Sequence, residues 1–309
     1  MFSEMLTQGC WYLSPFTSDS CVDSLSAPYS YQYILLERQK MPENNVLQGI
    51  FESQSLNRCQ RVAFKILNTQ VTLLCSEQPL MLEREKNTDW ELCRLQSSLG
   101  SKPQLVTFDM DSTLIGQEVI DEIAREANCY EKVAAITESA MRGELDFNQS
   151  LKKRVACLKG LKQETLFKVY ERLSFSPGAE ELLRKLNQWH VKTAILSGGF
   201  DFFAKRIAQT LNIPIFYSNQ LEIEQGVLTG RVVGEIIDAE AKSFYLKKLA
   251  QEYGIDLCHT MAVGDGANDL KVLQSSGMGV AWHAKPAVAL QADLAINYLG
   301  LEALTWIWA

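Results

Sequence analysis

Two aspartates one residue apart stand in the run Phe108-Asp109-Met110-Asp111-Ser112-Thr113-Leu114. Carboxylates at this spacing, beside hydroxyl side chains, can hold a Mg²⁺ ion through hard oxygen ligands and present a nucleophile to phosphorus. Asp-x-Asp on its own is equally a solvated acidic turn. The complete Asp-x-Asp-Ser-Thr string is more specific, because it follows the apolar run Leu105-Val106-Thr107-Phe108. Two other segments have comparable character: Ser197-Gly198-Gly199, and Gly264-Asp265-Gly266-Ala267-Asn268-Asp269. A serine hydroxyl and a glycine amide can donate to phosphoryl oxygens, and glycine lets the backbone come close. Ser-Gly-Gly alone also marks ordinary turns. Asp265 and Asp269, four apart around a Gly-Ala-Asn turn, suit a loop opening into a helix.

Each of these clusters ends an apolar run that predicts a buried strand: 105–108, 191–196 and 260–264. Helical patterns follow, including an amphipathic stretch at 180–188, a helix capped by Asp201 and running to Leu211, and another at 239–253. Strands alternating with helices predict an α/β fold, a Rossmann-like parallel sheet with helices on both faces. Open sheets of this kind place chemistry at the carboxyl ends of their strands. Residues 118–173 are helical almost throughout, too long for a simple crossover, and predict an inserted helical cap at about 118–175. The alternation over 221–232 predicts a β-hairpin near Gly226.

Before residue 100 the pattern is weaker. Residues 1–30, rich in Ser, Tyr, Pro and Thr, read as irregular. Strands are expected at 33–36 and 71–74, with helical spacing over 45–67, although Val62-Ala63-Phe64 also suits an extended chain. A further helix is expected at 88–99. Gly100-Ser101-Lys102-Pro103 then marks a linker, dividing a small N-terminal α/β domain, 1–100, from a domain at 101–309.

A hydrophobic fraction of 47% and a charged fraction of 22% describe an ordinary globular chain. The net charge of −7 and the absence of a basic stripe argue against nucleic acid as a partner. No apolar run approaches the ~18 residues of a membrane span. Lys and Arg are missing from the first 37 residues, against a secretory signal or mitochondrial presequence. The eight cysteines form no Cys-x-x-Cys pair, so neither a zinc site nor a redox motif is indicated, and a reducing cytoplasm is the expected compartment. His190, His259 and His283 are far apart and read as surface or packing residues.

Taken together, the Asp109–Thr113, Ser197–Gly199 and Gly264–Asp269 segments, with Lys242 between the last two, resemble the four ordered motifs of the haloacid-dehalogenase-like hydrolases. Within that superfamily, residues 105–295 are similar to the phosphoserine phosphatases, including the cap stretches 118–124, 141–147 and 150–155. The resemblance implies Mg²⁺-dependent hydrolysis of phosphoserine, the last step of serine biosynthesis. It implies Asp109 as nucleophile and Asp111 as the acid and base that serves the serine oxygen and then the water. Mg²⁺ would take Asp109, Asp265 and the Asp111 backbone carbonyl, with Asp269 bracing the site. Lys242, Ser197, Gly198 and Asn268 would face the phosphate. Glu118 would pair with the substrate ammonium and Arg154 with its carboxylate, while Met141 and Phe147 would wall the cap. On residue type alone, Arg154 is also a solvated helix charge, and Met141 and Phe147 are also core packing. His283-Ala284-Lys285-Pro286 fits the pattern in a structural role. Residues 1–100 lie outside the resemblance, although some members carry an ACT-like N-terminal domain. Another phosphatase or a phosphotransferase acting on a small amino-phosphate is the alternative, with residues 1–100 as a regulatory or dimerisation module and a homodimer as the possible assembly.

Overall fold

A computed structural model describes residues 12–15, 31–37, 61–68, 71–76, 90–95 and 101–308. The region that carries the clusters above is built on seven strands: β6 (Leu105–Phe108), β7 (Lys192–Phe200), β8 (Ile215–Glu224), β9 (Val227–Val233), β10 (Thr260–Gly264), β11 (Met278–Trp282) and β12 (Leu294–Ile296). Their spatial order is β12-β11-β10-β6-β7-β8-β9. All neighbouring pairs are parallel except β8 and β9, which form the expected hairpin. The order reverses around β6, which pairs with β7 on one side and β10 on the other. That switch point opens a crevice at the strands' carboxyl ends, and all three chemistry-bearing clusters end strands there.

The central strands need no alternation because both faces are covered. Every residue of β6, β10 and β11 is buried, the near-continuous apolar signature of a parallel sheet. The hairpin turns through Gln225 and Gly226 at φ 51° and 76°. Two left-handed residues match the twist of the paired strands, and glycine makes the second inexpensive. The helix Ala239–Tyr253 starts where the Asp238 carboxylate accepts from the amides of Glu240 and Ala241, both at 3.0 Å. It stops at Gly254 in the left-handed region.

Between β6 and β7 lie five α-helices; the last, Ala179–Gln188, leads into β7, and the other four are Val119–Glu126, Tyr130–Met141, Phe147–Ala156 and Glu164–Tyr170. These four make up the inserted helical cap. The chain enters and leaves through two extended segments that pair with each other. Gly116 N–H donates to Ser174 O (3.0 Å), Ser176 N–H donates to Leu114 O (3.0 Å), and Ile115 bridges Phe175.

Five earlier strands are described: β1 (Tyr12–Pro15), β2 (Tyr31–Glu37), β3 (Arg61–Asn68), β4 (Val71–Ser76) and β5 (Trp90–Leu95). The strands expected at 33–36 and 71–74 are present. The helix expected at 88–99 is a correction, because 90–95 is a strand paired with β2. In Trp90-Glu91-Leu92-Cys93-Arg94-Leu95 a period of two competes with helical spacing, and the β2 ladder decides for the strand. Residues 61–68 are likewise extended, the option left open by Val62-Ala63-Phe64. Helical spacing at 45–60, the remainder of the irregular reading of 1–30, and Gly100 of the linker lie outside the described residues. One register pair, Leu95 with Leu294, joins β5 to β12. Asp201 is the first residue of its helix rather than its cap, and accepts from the next amide, Phe202 N, at 2.8 Å. That helix ends at Thr210.

Candidate active site

Asp109 leaves the end of β6 with its backbone N–H bonded to Val263 O of β10 at 2.9 Å. Its carboxylate is buried and fully engaged. One oxygen accepts from Met110 N (2.7 Å), and the other meets Lys242 Nζ (2.9 Å) and Asn268 Nδ2 (3.2 Å). The following turn, Met110–Leu114, is closed by Ile115 N donating to Met110 O at 3.1 Å. Inside it Ser112 adopts φ 55°, a left-handed conformation that costs a non-glycine residue about 1 kcal/mol. The bend lets the Asp111 carboxylate accept from Val119 N (3.1 Å), at the start of the first cap helix. Ser112 Oγ donates to Glu118 Oε1 at 2.8 Å.

Burial, then the charges of Glu118 and Asp109, push the Asp111 carboxyl well above the usual carboxylate range, against the Val119 bond and Lys242. Such surroundings raise the proton affinity of this carboxyl, which suits a proton donor. The two aspartates are thereby differentiated: Asp109 is held by donors, whereas the surroundings of Asp111 raise its proton affinity.

Lys242 is 1% exposed and reaches both Asp109 and Asp269 Oδ1, the latter at 2.7 Å. Burial by itself would discharge the ammonium, but Asp109 and then Asp269 outweigh it and hold its pKa above the ordinary lysine value. The second Asp269 oxygen accepts from Gly266 N at 3.0 Å, so both oxygens of Asp269 are committed within the protein. A side chain on Gly264 would sit 2.5 Å from the Asp269 carboxyl carbon, which explains the glycine.

Carboxylate oxygens of Asp109, Asp265 and Asp269 lie within 4.8 Å of one another. Burial, then Asp109 and Asp269, raise the Asp265 carboxyl to about 7, opposed by a 3.0 Å bond from Thr113 Oγ1. Three hard oxygen donors this close together, with the Asp265 and Asp269 carboxyls raised by burial and by their neighbours, fit a small divalent cation. The linkage sign follows from the raised folded pKa. The folded protein holds protons that the unfolded chain releases above about 4, so metal-free stability should fall as pH rises from about 4 through about 7. Denaturant midpoints across that window in a chelator should decline and recover when a divalent cation is added. A flat profile would argue against this cluster as a cation site.

Ser197 is buried at the far end of β7, and its Oγ accepts from Gly199 N at 2.8 Å. With that lone pair in use, the hydroxyl proton remains for a bound oxyanion. Gly199 must be glycine: a Cβ there would lie 2.4 Å from Asp111 Oδ2 and 2.6 Å from Met110 Cε. Gly198 faces the cap, where a Cβ would come 2.9 Å from the Phe147 ring.

Over these strand ends the cap brings Arg154, near the end of the helix Phe147–Ala156. Arg154 Nε is buried without a hydrogen-bond partner, and no ion pair to its guanidinium occurs among the described residues. Burial draws its pKa down, while Glu118, Asp121 and Asp111 pull it up. Glu118 stands exposed at the rim, yet desolvation by the surrounding walls, then Asp109 and Asp121, raises its pKa, against Ser112 and Arg154. A cation and an anion thus act on each other near Asp111, although no ion pair joins them among the described residues.

The structure thus brings together Asp109, Asp111, Asp265, Asp269, Lys242, Asn268, Ser197, Gly198, Glu118, Arg154 and Phe147. Met141 is different: it ends its helix 68% exposed. His283 lies away from this group, at φ 48°, stacked on Trp282 and bonded through Nε2 to Leu299 O at 2.9 Å. Sequence reasoning did not single out Thr113 as a partner of Asp265, Gly199, or the buried Asn219. Thr113 sat in the quoted motif and Gly199 in the Ser-Gly-Gly turn. Asn219 had no signal, because a polar residue in a strand reads as outward-facing.

A family model described as haloacid dehalogenase-like hydrolase matches residues 106–274. A phosphoserine phosphatase of Idiomarina loihiensis is 50% identical over 193 residues, covering 62% of this chain and 88% of that protein. One from Haemophilus influenzae is 50% identical over 204 residues, 66% of this chain; the match spans 65% of that relative's length. Among solved structures, a phospho-aspartyl intermediate analogue of a phosphoserine phosphatase matches at TM-score 0.63 and 42% identity, over 67% of this chain and 99% of that one.

Proposed function

Because the chain belongs to the haloacid dehalogenase-like hydrolases, we propose that it hydrolyses O-phospho-L-serine to L-serine and phosphate through an aspartyl phosphate on Asp109. The observation that carries the substrate is the buried, unpartnered Arg154 Nε, within electrostatic reach of Glu118 and of Asp111 beside the nucleophile. A planar fork matches a carboxylate in bidentate fashion, and Glu118 matches an ammonium. Phosphoserine presents both beside its phosphate. The relatives named phosphoserine phosphatase support the same reading.

In the first half-reaction the Asp109 carboxylate attacks phosphorus and the bond to the serine oxygen breaks. Asp111, protonated by its environment, gives its proton to that oxygen. In the second, Asp111 as carboxylate takes a proton from water attacking the aspartyl phosphate. Phosphate is released and Asp109 is restored. Ser197 Oγ, the Gly198 amide and the Lys242 ammonium bind the phosphoryl oxygens, and Asn268 steadies the nucleophile. Mg²⁺ is the cation we infer for the carboxylate group. Asp109, Asp265 and the Asp111 carbonyl would hold it, and it would neutralise charge on the phosphoryl group. Asp269 braces Lys242 and the Gly266 turn. Phe147 and Met141 are assigned to the apolar walls of the cap, Phe147 against Gly198 and Met141 at the exposed end of its helix.

Residues 101–309, with the cap at 118–175, are inferred to be the catalytic unit, in keeping with a family match that begins at 106. Residues 1–100 are inferred to be a regulatory or dimerising α/β module, and a homodimer is the assembly to test by sedimentation. No helix among the described residues is long and apolar enough to cross a membrane, and Cys93, Cys129, Cys157 and Cys258 are free thiols. A reducing cytoplasm is the compartment inferred.

Phosphate release from phosphoserine with and without Mg²⁺ is the direct test. Arg154→Ala refines it. Loss of a charged hydrogen-bonded contact, roughly 1.5–3 kcal/mol, should lower kcat/KM for phosphoserine by about 10- to 150-fold. Turnover of an aryl phosphate should be nearly unchanged. Equal loss on both substrates would point to another phosphate ester.

A further inference from the structure

The β7–β8 ladder has a gap at the site. Leu196 pairs with Tyr217 and the next pair is Phe200 with Asn219, so Ser197, Gly198 and Gly199 bulge out opposite Ser218 alone. A bulge releases backbone groups from the ladder. The freed amides can serve an anion, but a freed carbonyl inside the protein still needs a donor. Asn219, 0% exposed, supplies it: its Nδ2 donates to Gly198 O at 2.8 Å. Its Oδ1 accepts from Ile237 N at 2.9 Å, one residue before Asp238, the cap of the helix that carries Lys242.

The Gly198 carbonyl and the Gly199 N–H belong to one rigid peptide plane and point in opposite directions. Holding the carbonyl toward Asn219 therefore aims the N–H at Ser197 Oγ, where it is found at 2.8 Å. That bond occupies a lone pair of the serine and directs its proton elsewhere. The other end of the same amide ties down the approach to the Lys242 helix.

We propose that Asn219 is a positioning residue for the bound phosphoryl group, setting the direction of the Ser197 hydroxyl and the Lys242 helix through one buried amide. The proposal rests on the reading of this centre as a phosphoryl-transfer site. Asn219 touches no reacting atom; it acts through peptide 198–199 and through Ile237.

Asn219→Asp keeps the shape and the acceptor but loses the donor, whereas Asn219→Ala loses both. Inorganic phosphate is the probe, titrated calorimetrically into the full chain with Mg²⁺ present. Removing one such bond should weaken phosphate binding by about tenfold, with Asn219→Ala at least as affected. A purely structural role would lower the unfolding midpoint while folded molecules bind phosphate as before. Affinity within about twofold of the unsubstituted protein would thus overturn the proposal. Should neither variant fold, hydrogen exchange of the Asn219 side-chain amide in the unsubstituted protein decides. Phosphate should slow it, and exchange indifferent to phosphate would overturn the proposal. Because phosphate binding is read separately, protein that binds phosphate but leaves phosphoserine intact would sink the substrate reading alone.

Discussion

Asp109→Asn is expected to abolish turnover, lowering kcat on the order of 10⁴-fold or more, because no other carboxylate can form the covalent intermediate. Asp111 cannot take over. Burial and Glu118 raise its proton affinity, which weakens it as a nucleophile, and one of its oxygens is tied to Val119 N. The substitution also leaves a donor conflict. Asparagine can present its oxygen to Met110 N or to Lys242 and Asn268, but not to both. Against that, Asp265 loses its largest charged neighbour, so its pKa should move back toward the ordinary value. The decline of metal-free stability between about pH 4 and 7 should then become shallower. Single-turnover kinetics and denaturation profiles would check both parts. Residual activity of more than a few per cent would contradict Asp109 as the nucleophile.

Lys242→Met should be the most damaging substitution for stability in the site. The ammonium is buried between Asp109 and Asp269, at 2.9 and 2.7 Å. Removing one partner of a buried ionic group leaves uncompensated charge, at a cost of about 3–5 kcal/mol. Here two carboxylates are left without their cation, and the already raised Asp269 carboxyl should move further up. The cost is therefore expected in full at pH 8 and reduced near pH 5, where protonation relieves it. Activity should also fall by about 10²–10³-fold, the scale for losing one group that stabilises transition-state charge. Urea denaturation at the two pH values separates the effects. Destabilisation independent of pH would indicate lost packing rather than stranded charge.

How much of this was legible beforehand depends on the range of the forces involved. Asp109–Thr113, Ser197–Gly199 and Gly264–Asp269 were found because strand, turn and helix signals are local, and each cluster ends a local apolar run. The helix Ala239–Tyr253 and the Gly226 hairpin were placed for the same reason. The helix expected over 88–99 is a strand at 90–95 only through pairing with β2, whose partners lie 53 to 63 residues earlier, and nothing in its own spacing records that partner. Asn219 was invisible because burial of one polar side chain depends on which bulge lies beside it.

The residues that carry chemistry, their order along the chain and the alternation of strand and helix are properties of the sequence by itself. So is the identity of the two aspartates as a pair. Their division of labour belongs to the tertiary structure. Asp109 is held because Lys242 and Asn268 arrive from distant segments, and the proton affinity of Asp111 is raised because the fold buries it and sets Glu118 and Asp109 beside it. Proton affinity is set by dielectric surroundings and by charges a few ångströms away, and only the packed fold determines which charges those are.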